Sequence, residues 1–425
     1  MEPIVYVLDE QVRDLLTHLT SAGTLEEGVA FGFDDWTVFH AYTEKPFTTP
    51  SGIVCPCFAV RADTAGMVDE TRLTSSVRAR TDLSERPAVV LVVDTHSDGT
   101  PQCRALIVSH SKMAAADTRF VPRRSELYSR NAGLLETSAL AAKKVVVVGL
   151  GSGGSPVALD LARAGVGQFT LIDFDRLELG NISRHVCGIN DLGRYKTLAV
   201  RDQILQKNPY ASVTTMEVNI NQALAPVEEA VAKCDLLIVA SDNDQSRFNL
   251  NQMSLNHNRT ALYGRAITRA AGGDVLRVRP WTGPCYNCVF SSGLIDGREE
   301  EMSQKRQALA VLPAYVEEDK ANAMIQVGLS SDIAPIANMM VKIALLELSR
   351  GQETGISTLD EDLKADFYIW ANRREEAYAA WPLMNYKWTR PSILRWYGAR
   401  VERDPQCLVC GGHLKADTPL QGIVQ

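Results

Sequence analysis

The sequence predicts an α/β protein: a doubly wound, Rossmann-like domain with a mostly parallel sheet, preceded by a small α+β domain. Three features carry that expectation. The apolar β-branched run Val145–Val148 leads through a glycine-rich turn into a helical pattern at Pro156–Ala164. Strand-like and helical stretches alternate beyond it, as parallel strands joined by crossover helices require. The first 115 or so residues lack that alternation and read as short strands and turns around a helical stretch.

Taken in order, Ile4–Leu8 and Ala88–Val93 read as strands and Glu10–Leu19 as a helix, with turn-rich spacers at Pro46–Gly52 and Ser97–Pro101. Ala114–Arg124, polar and rich in Ala and Arg, reads as a linker, giving domains at 1–118 and 126–425. Within the second domain, Gln168–Asp173, Ser212–Val218, Leu236–Ala240 and Ala261–Tyr263 read as strands, and Lys196–Gln206 and Asp244–Asn256 as helices. Gly297–Gln307, with the charge run Arg298-Glu299-Glu300-Glu301, reads as a surface loop.

Composition narrows the function. A chain of 425 residues suits two or three domains, and 45% hydrophobic with 22% charged residues is ordinary globular usage. No uninterrupted apolar stretch approaches the roughly 18–20 residues of a membrane span, so no membrane partner is expected. Met1-Glu2-Pro3-Ile4 has neither the positive region nor the apolar run of a secretory signal, which predicts a cytoplasmic protein with reduced thiols. The net charge of −7 argues against nucleic acid as the main partner.

The chemistry centres on Gly149-Leu150-Gly151-Ser152-Gly153-Gly154. Bare backbone amides at a helix N-terminus can approach a polyphosphate there, and Asp173 ends the next strand, within reach of a ribose hydroxyl. Gly149, Gly151, Gly154 and Asp173 alone satisfy an NAD fingerprint as literally as an ATP one. Asp173-Phe174-Asp175, Asn181-Ile182-Ser183-Arg184, Gly193-Arg194-Tyr195-Lys196 and Ser241-Asp242-Asn243 favour ATP. Hydride transfer needs no such cluster, whereas adenylyl transfer builds negative charge that Arg, Lys and a carboxylate-held Mg²⁺ stabilise.

Cys285-Tyr286-Asn287-Cys288 and Cys407-Leu408-Val409-Cys410 form two Cys-x-x-Cys knuckles, a pattern suited to a closed tetrahedral Zn²⁺ site of structural type. Such a zinc would staple two segments roughly 120 residues apart and couple metal binding to folding. Neither knuckle is expected to open a helix, which disfavours a redox role.

From Tyr128-Ser129-Arg130 to Cys407–Cys410 the chain resembles the adenylation domain of the MoeB/ThiF and ubiquitin-activating enzyme superfamily. The resemblance implies that Asp173 binds ribose, Asn181 and Arg184 the phosphates and Lys196 the α-phosphate region, while Asp242 holds Mg²⁺. Asp175 joins the nucleotide set, as do Gly149, Gly151, Gly153 and Gly154. Arg130 would reach the γ-phosphate in a partner subunit, implying a homodimer. His185 departs from the family, which usually has Gln directly after the Arg. The resemblance further implies adenylation of the C-terminal glycine of a ubiquitin-like or sulfur-carrier protein, with a ubiquitin-conjugating-like enzyme as the next acceptor if a thioester forms.

The thioester step lacks an evident nucleophile, because residues 289–406 contain no cysteine. Three readings stay open: the reaction stops at the adenylate, another thiol such as Cys187 serves, or the nucleophile's place is taken by another residue, Ala314 being the position considered. The N-terminal domain faintly resembles the JAB/MPN metalloprotease fold through Glu26-Glu27-Gly28 and Thr95-His96-Ser97-Asp98, but Asp94 stands where a first zinc-binding His would be. It is read as an inactive, docking or dimer-forming module of a bacterial ubiquitin-like conjugation system, with an unrelated α+β module as the alternative. Two rivals to the adenylating enzyme remain: an NAD-dependent oxidoreductase, and a non-catalytic scaffold for a ubiquitin-like protein.

Overall fold

A computed structural model describes residues 2–19, 21–43, 50–63, 66–121, 124–290, 328–375, 378–379 and 392–411. The chain divides into two compact units, Met1–Arg130 and Asn131–Gln425. The expected loop Gly297–Gln307 and Ala314 lie outside the described residues.

The first unit is built on strands β1 (Ile4–Leu8), β2 (Leu25–Phe33), β3 (Val38–Tyr42), β4 (Ile53–Arg61), β5 (Ala88–Thr95), β6 (Pro101–Val108) and β7 (Met113–Val121). They close into a barrel in the order β1-β3-β2-β4-β5-β6-β7, sealed by parallel pairing of β7 with β1. Helices α1 (Asp9–His18), α2 (Glu70–Arg80) and the short α3 (Arg124–Leu127) complete the unit. The continuous apolar run Ala88–Val93 of β5 follows from burial on both faces. Val89, Leu91 and Val93 share a core with Val12 and Leu15 of α1, while Ala88, Val90 and Val92 pack with Leu73 and Val77 of α2.

The expected linker at Ala114–Arg124 is corrected here, since most of it is β7. Met113–Ala116 pairs with β6 and Asp117–Val121 with β1. Ladder pairing along the whole segment overrides the low strand propensity of Ala114-Ala115-Ala116-Asp117.

The second unit holds α4 (Thr137–Ala141), β8 (Lys144–Val148), α5 (Gly154–Ala164), β9 (Gln168–Ile172), α6 (Leu179–Ile182), α7 (Lys196–Lys207), β10 (Ser212–Met216), α8 (Leu224–Ala232), β11 (Leu236–Val239), α9 (Asp244–Asn256) and β12 (Ala261–Ala266). Then come β13 (Gly272–Val278), α10 (Tyr286–Phe290), α11 (Ser330–Leu348), β14 (Phe367–Ala371) and β15 (Arg395–Ala399). The sheet order is β10-β9-β8-β11-β12-β13-β14-β15. Its first five strands are parallel, and the last three add on antiparallel.

Alternation along β8 sorts the two faces. Val145 and Val147 join a core with α5, α7 and α11, whereas Val146 and Val148 join one with α8, α9 and α10. The fully buried Arg277 on β13 ties the antiparallel half together. Its guanidinium donates to Asp366 at 2.9 Å, to Glu347 of α11 at 3.0 Å, and to the carbonyls of Leu363 and Ala365. The chain reverses direction across the sheet between β8 and β11, so the crevice at their carboxyl ends is where an open α/β sheet binds ligands.

Candidate functional site

That crevice is closed at its base by glycine. Gly149 has φ +83°, and a Cβ there would lie 2.7 Å from the carbonyl carbon and oxygen of Ala240 and from the nitrogen of Ser241. The loops after β8 and β11 therefore meet with no room for a side chain. A Cβ on Gly154 would stand 1.9 Å from the Gly149 oxygen, so the turn can close onto helix α5 only as glycine. At Gly151 and Gly153 a Cβ would meet nothing within 4 Å. These two glycines leave open space above bare amides at the N-terminus of α5, a cradle suited to phosphate.

Asp173 braces the loop. Its two oxygens accept from the Leu150 amide at 2.7 Å and the Asp175 amide at 2.8 Å. Each carboxylate oxygen keeps a second lone pair for a ribose hydroxyl. Burial raises the Asp173 pKa, and the nearby Lys196 ammonium opposes that rise. Lys196, at the start of α7 and 9% exposed, donates to Asp175 at 2.8 Å. A buried ammonium held by one carboxylate keeps donors available to an incoming phosphate.

Asn181 and Arg184 lie on the excursion after β9. Asn181 Oδ1 accepts from the Glu178 amide at 3.1 Å and so caps the short helix α6, while Arg184 donates to the Gly180 carbonyl at 2.7 Å. His185, which the sequence marks only as a departure, is tied to the glycine loop. Its Nε2 donates to the Leu150 carbonyl at 2.7 Å, and its Nδ1 accepts from the Cys187 amide at 3.1 Å. These two bonds require the neutral ring, and burial holds its pKa below the usual 6.5.

Asp242 is exposed on the turn between β11 and α9. Asn243 caps α9 by accepting from the Ser246 amide at 3.0 Å, and Arg247 Nε donates to the Ser241 carbonyl at 3.1 Å. The crevice thus brings Gly149, Gly151, Gly153, Gly154, Asp173, Asp175 and Lys196 around the β8 end, with Asp242 on the β11 turn that Gly149 abuts. Arg130 is exposed on the turn Ser129–Asn131, in the first unit by contact.

The four cysteines of the two knuckles converge into one buried cluster. Their sulfur atoms all lie within 4.8 Å of one another, with Cys285–Cys288 and Cys285–Cys407 at 3.7 Å and Cys288–Cys410 at 3.3 Å. A tetrahedron with metal–sulfur bonds of ~2.3 Å has edges of about 3.8 Å, so the donor set fits a tetrahedral, thiolate-loving ion. Hydrogen bonds from Cys285 and Cys410 hold the Cys288 thiol toward thiolate, at the expense of Cys285, which is pushed up. The expectation that neither knuckle opens a helix is corrected: Cys285 directly precedes α10. Among the described residues this quartet is the one group of three or more His, Cys, Asp or Glu side chains able to hold a metal ion. His96, Glu26 and Glu27 of the first unit are exposed, and Asp94 is half-buried.

All nine cysteines are buried. Cys187 is 2% exposed, and burial pushes its thiol up to about 12, which disqualifies it as a ready nucleophile. No helix among the described residues is long and apolar enough to cross a membrane.

A model of the ThiF family matches residues 125–362. The chain is 33% identical over 179 residues to an uncharacterized protein, y4oA, of Sinorhizobium fredii, covering 39% of this chain and 30% of that one. It is 31% identical over 150 residues to the sulfur carrier protein ThiS adenylyltransferase of Escherichia coli, covering 35% and 58%. It is 32% identical over 178 residues to the SAMP-activating enzyme E1 of Haloferax volcanii, covering 42% and 64%. The chain spans less than two thirds of the length of each of these relatives.

Proposed function

Because the chain belongs to the ThiF family, we propose that it adenylates the C-terminal glycine of a ubiquitin-like or sulfur-carrier protein with ATP. The observation that carries the reading is the crevice between β8 and β11. There an open glycine cradle, a buried Lys196 and an exposed Asp242 stand at the ligand-binding edge of the sheet. Family relatives named for activating a sulfur carrier and SAMP support that class of substrate.

In this reading the polyphosphate lies over Gly151 and Gly153, Asp173 and Asp175 hold the ribose side, and Asn181, Arg184 and Lys196 surround the phosphates. Asp242 would hold Mg²⁺, and Arg130 would complete the site of a second copy in a homodimer. The tail carboxylate attacks the α-phosphorus, the bond to the β-phosphate oxygen breaks, and pyrophosphate leaves. A carboxylate is already ionised at neutral pH, so no general base is needed. Positioning and charge neutralisation by the cations carry the rate.

The cysteine quartet would hold a structural Zn²⁺, consistent with its closed four-sulfur geometry. The absence of any exposed thiol among the nine cysteines supports a reaction that ends at the adenylate, leaving the acyl group to an external acceptor.

ATP–pyrophosphate exchange driven by carrier proteins ending in glycine tests the reading. Wild type should exchange, while Asp242→Ala and Arg184→Ala should each lose about a hundredfold, as expected for removing one electrostatic stabiliser. Undiminished exchange in Asp242→Ala would remove that residue from the site.

A further inference from the structure

Tyr286 sits between two metal-ligating cysteines, yet its side chain turns toward the nucleotide crevice. The hydroxyl donates to Asp244 Oδ1 at 3.0 Å, in the first turn of α9 and two residues beyond Asp242. Its amide donates to Asn251 Oδ1 at 3.0 Å, and Asn251 in turn donates to Asn287 at 3.1 Å. Asp244 and Asn251 are seven residues apart, almost two helical turns, and so share one face of α9. The knuckle is fastened to that face at both places.

The same face continues to the Asp242 turn. Arg247 donates to Asp244 Oδ1 at 3.0 Å and, through Nε, to the Ser241 carbonyl at 3.1 Å. Ser241 and Asp244 flank Asp242 and Asn243, so this chain of bonds reaches both ends of the turn. Tyr286 is fully buried, with its ring centroid 5.3 Å from Phe248, 4.9 Å from Tyr263 and 4.5 Å from Phe290. A phenylalanine would fill that aromatic cluster equally well. The hydroxyl is required only by Asp244, since a buried polar group needs a partner and here has this one.

We propose that Tyr286 is a positioning residue that couples the cysteine quartet to the Asp242 turn, so that an ordered knuckle holds the turn in its Mg·ATP-binding form. The coupling rests on the adenylyltransferase reading for its catalytic consequence, but not for its structural one. Asp242 is exposed and gains no fixed place from burial, and the bonds at Ser241 and Asp244 fasten the backbone at either side of it. Asn251 sets the knuckle's position along α9, and Tyr286 passes that position on through Asp244 and Arg247.

The test compares wild type, Tyr286→Phe, Asp244→Ala and Asp244→Asn in the full chain. In Tyr286→Phe the metal content and melting temperature should match wild type, while backbone amides at 242–247 exchange with deuterium about tenfold faster. The Mg²⁺ concentration for half-maximal ATP–pyrophosphate exchange should rise about tenfold with kcat changed less than twofold. Asp244→Ala should reproduce this, and Asp244→Asn, which keeps an oxygen acceptor, should restore most of it. Unchanged amide exchange at 242–247 overturns the proposal. Loss of bound metal in Tyr286→Phe overturns it too, because the hydroxyl would then be holding the quartet rather than relaying its state. If wild type exchanges pyrophosphate with no carrier, the adenylation reading fails, and the deuterium comparison still decides the coupling.

Discussion

Two alanine substitutions in one loop should have opposite effects. Gly149→Ala forces a side chain into a backbone with φ +83° and sets its Cβ 2.7 Å from three backbone atoms of Ala240 and Ser241. The left-handed conformation costs about 1–2 kcal/mol for a non-glycine residue, and overpacking against backbone adds about 1–3 kcal/mol. A loss of about 2–5 kcal/mol corresponds to a fall in melting temperature of about 5–15 °C for a unit of this size. Gly151→Ala meets nothing within 4 Å, so its stability should match wild type. Its methyl would instead stand in the phosphate cradle and displace a charge-assisted amide bond worth about 1.5–3 kcal/mol, raising KM for Mg·ATP about ten- to hundredfold. Differential scanning calorimetry and pyrophosphate-exchange kinetics read the two outcomes. A Gly149→Ala protein that melts within a degree of wild type would refute the close approach of the two loops. An unchanged KM in Gly151→Ala would refute the cradle.

Three further outcomes follow from the same geometry. Cys407→Ser should purify without zinc and melt well below wild type, as metal analysis and calorimetry would show, and a metal-free wild type of full stability would contradict the fit. Burial holds His185 below 6.5, so on acidification below about that value the unfolded chain takes up the proton first. Stability and ATP affinity should then decline as pH falls, and His185→Gln should remove that limb from both profiles; a wild-type KM for ATP that is flat from pH 7.5 to 5.5 counts against the tether. Burial would raise the Glu347 pKa, but Arg350 and Arg279 outweigh it and lower the carboxyl from 4.5 to about 2. That difference, about 3 kcal/mol, is present at neutral pH and lost as pH falls from about 4.5 to about 2, and Glu347→Gln should abolish it in acid denaturation.

The parallel half of the second unit was readable because strands buried on both faces are continuous apolar runs bounded by turns. Asp244–Asn256 is the helix as expected, and Lys196–Lys207 and Gln168–Ile172 differ from expectation by a residue at one end. Strands β13 to β15 were not anticipated. They add to the sheet antiparallel, so no strand–loop–helix alternation announces them, and β13 opens on Gly272-Gly273, residues of low strand propensity. The barrel-closing β7 was hidden by its alanines. At the candidate site, spacing exposed the glycines, Asp173, Lys196 and the cysteines, whereas the tether from His185 to Leu150 and the link from Tyr286 to Asp244 join residues 35 and 42 apart. No local pattern encodes such pairs.

The quartet also imposes an order of events on synthesis. Cys285 and Cys407 are separated by 122 positions in the chain. The site cannot close until the ribosome has delivered the second knuckle, long after β8 to β12 have emerged. Closing a loop of that length removes about 5 kcal/mol of chain entropy from the unfolded ensemble by the same counting used for disulfides. In the nascent chain, capture of a metal by the quartet would therefore be a late and self-checking step. A polypeptide stalled or cleaved before Cys407 retains the glycine loop and the Asp242 turn in its sequence but lacks the two sulfurs that close the quartet, so a bound zinc would fasten the first knuckle only in chains that reach Cys410.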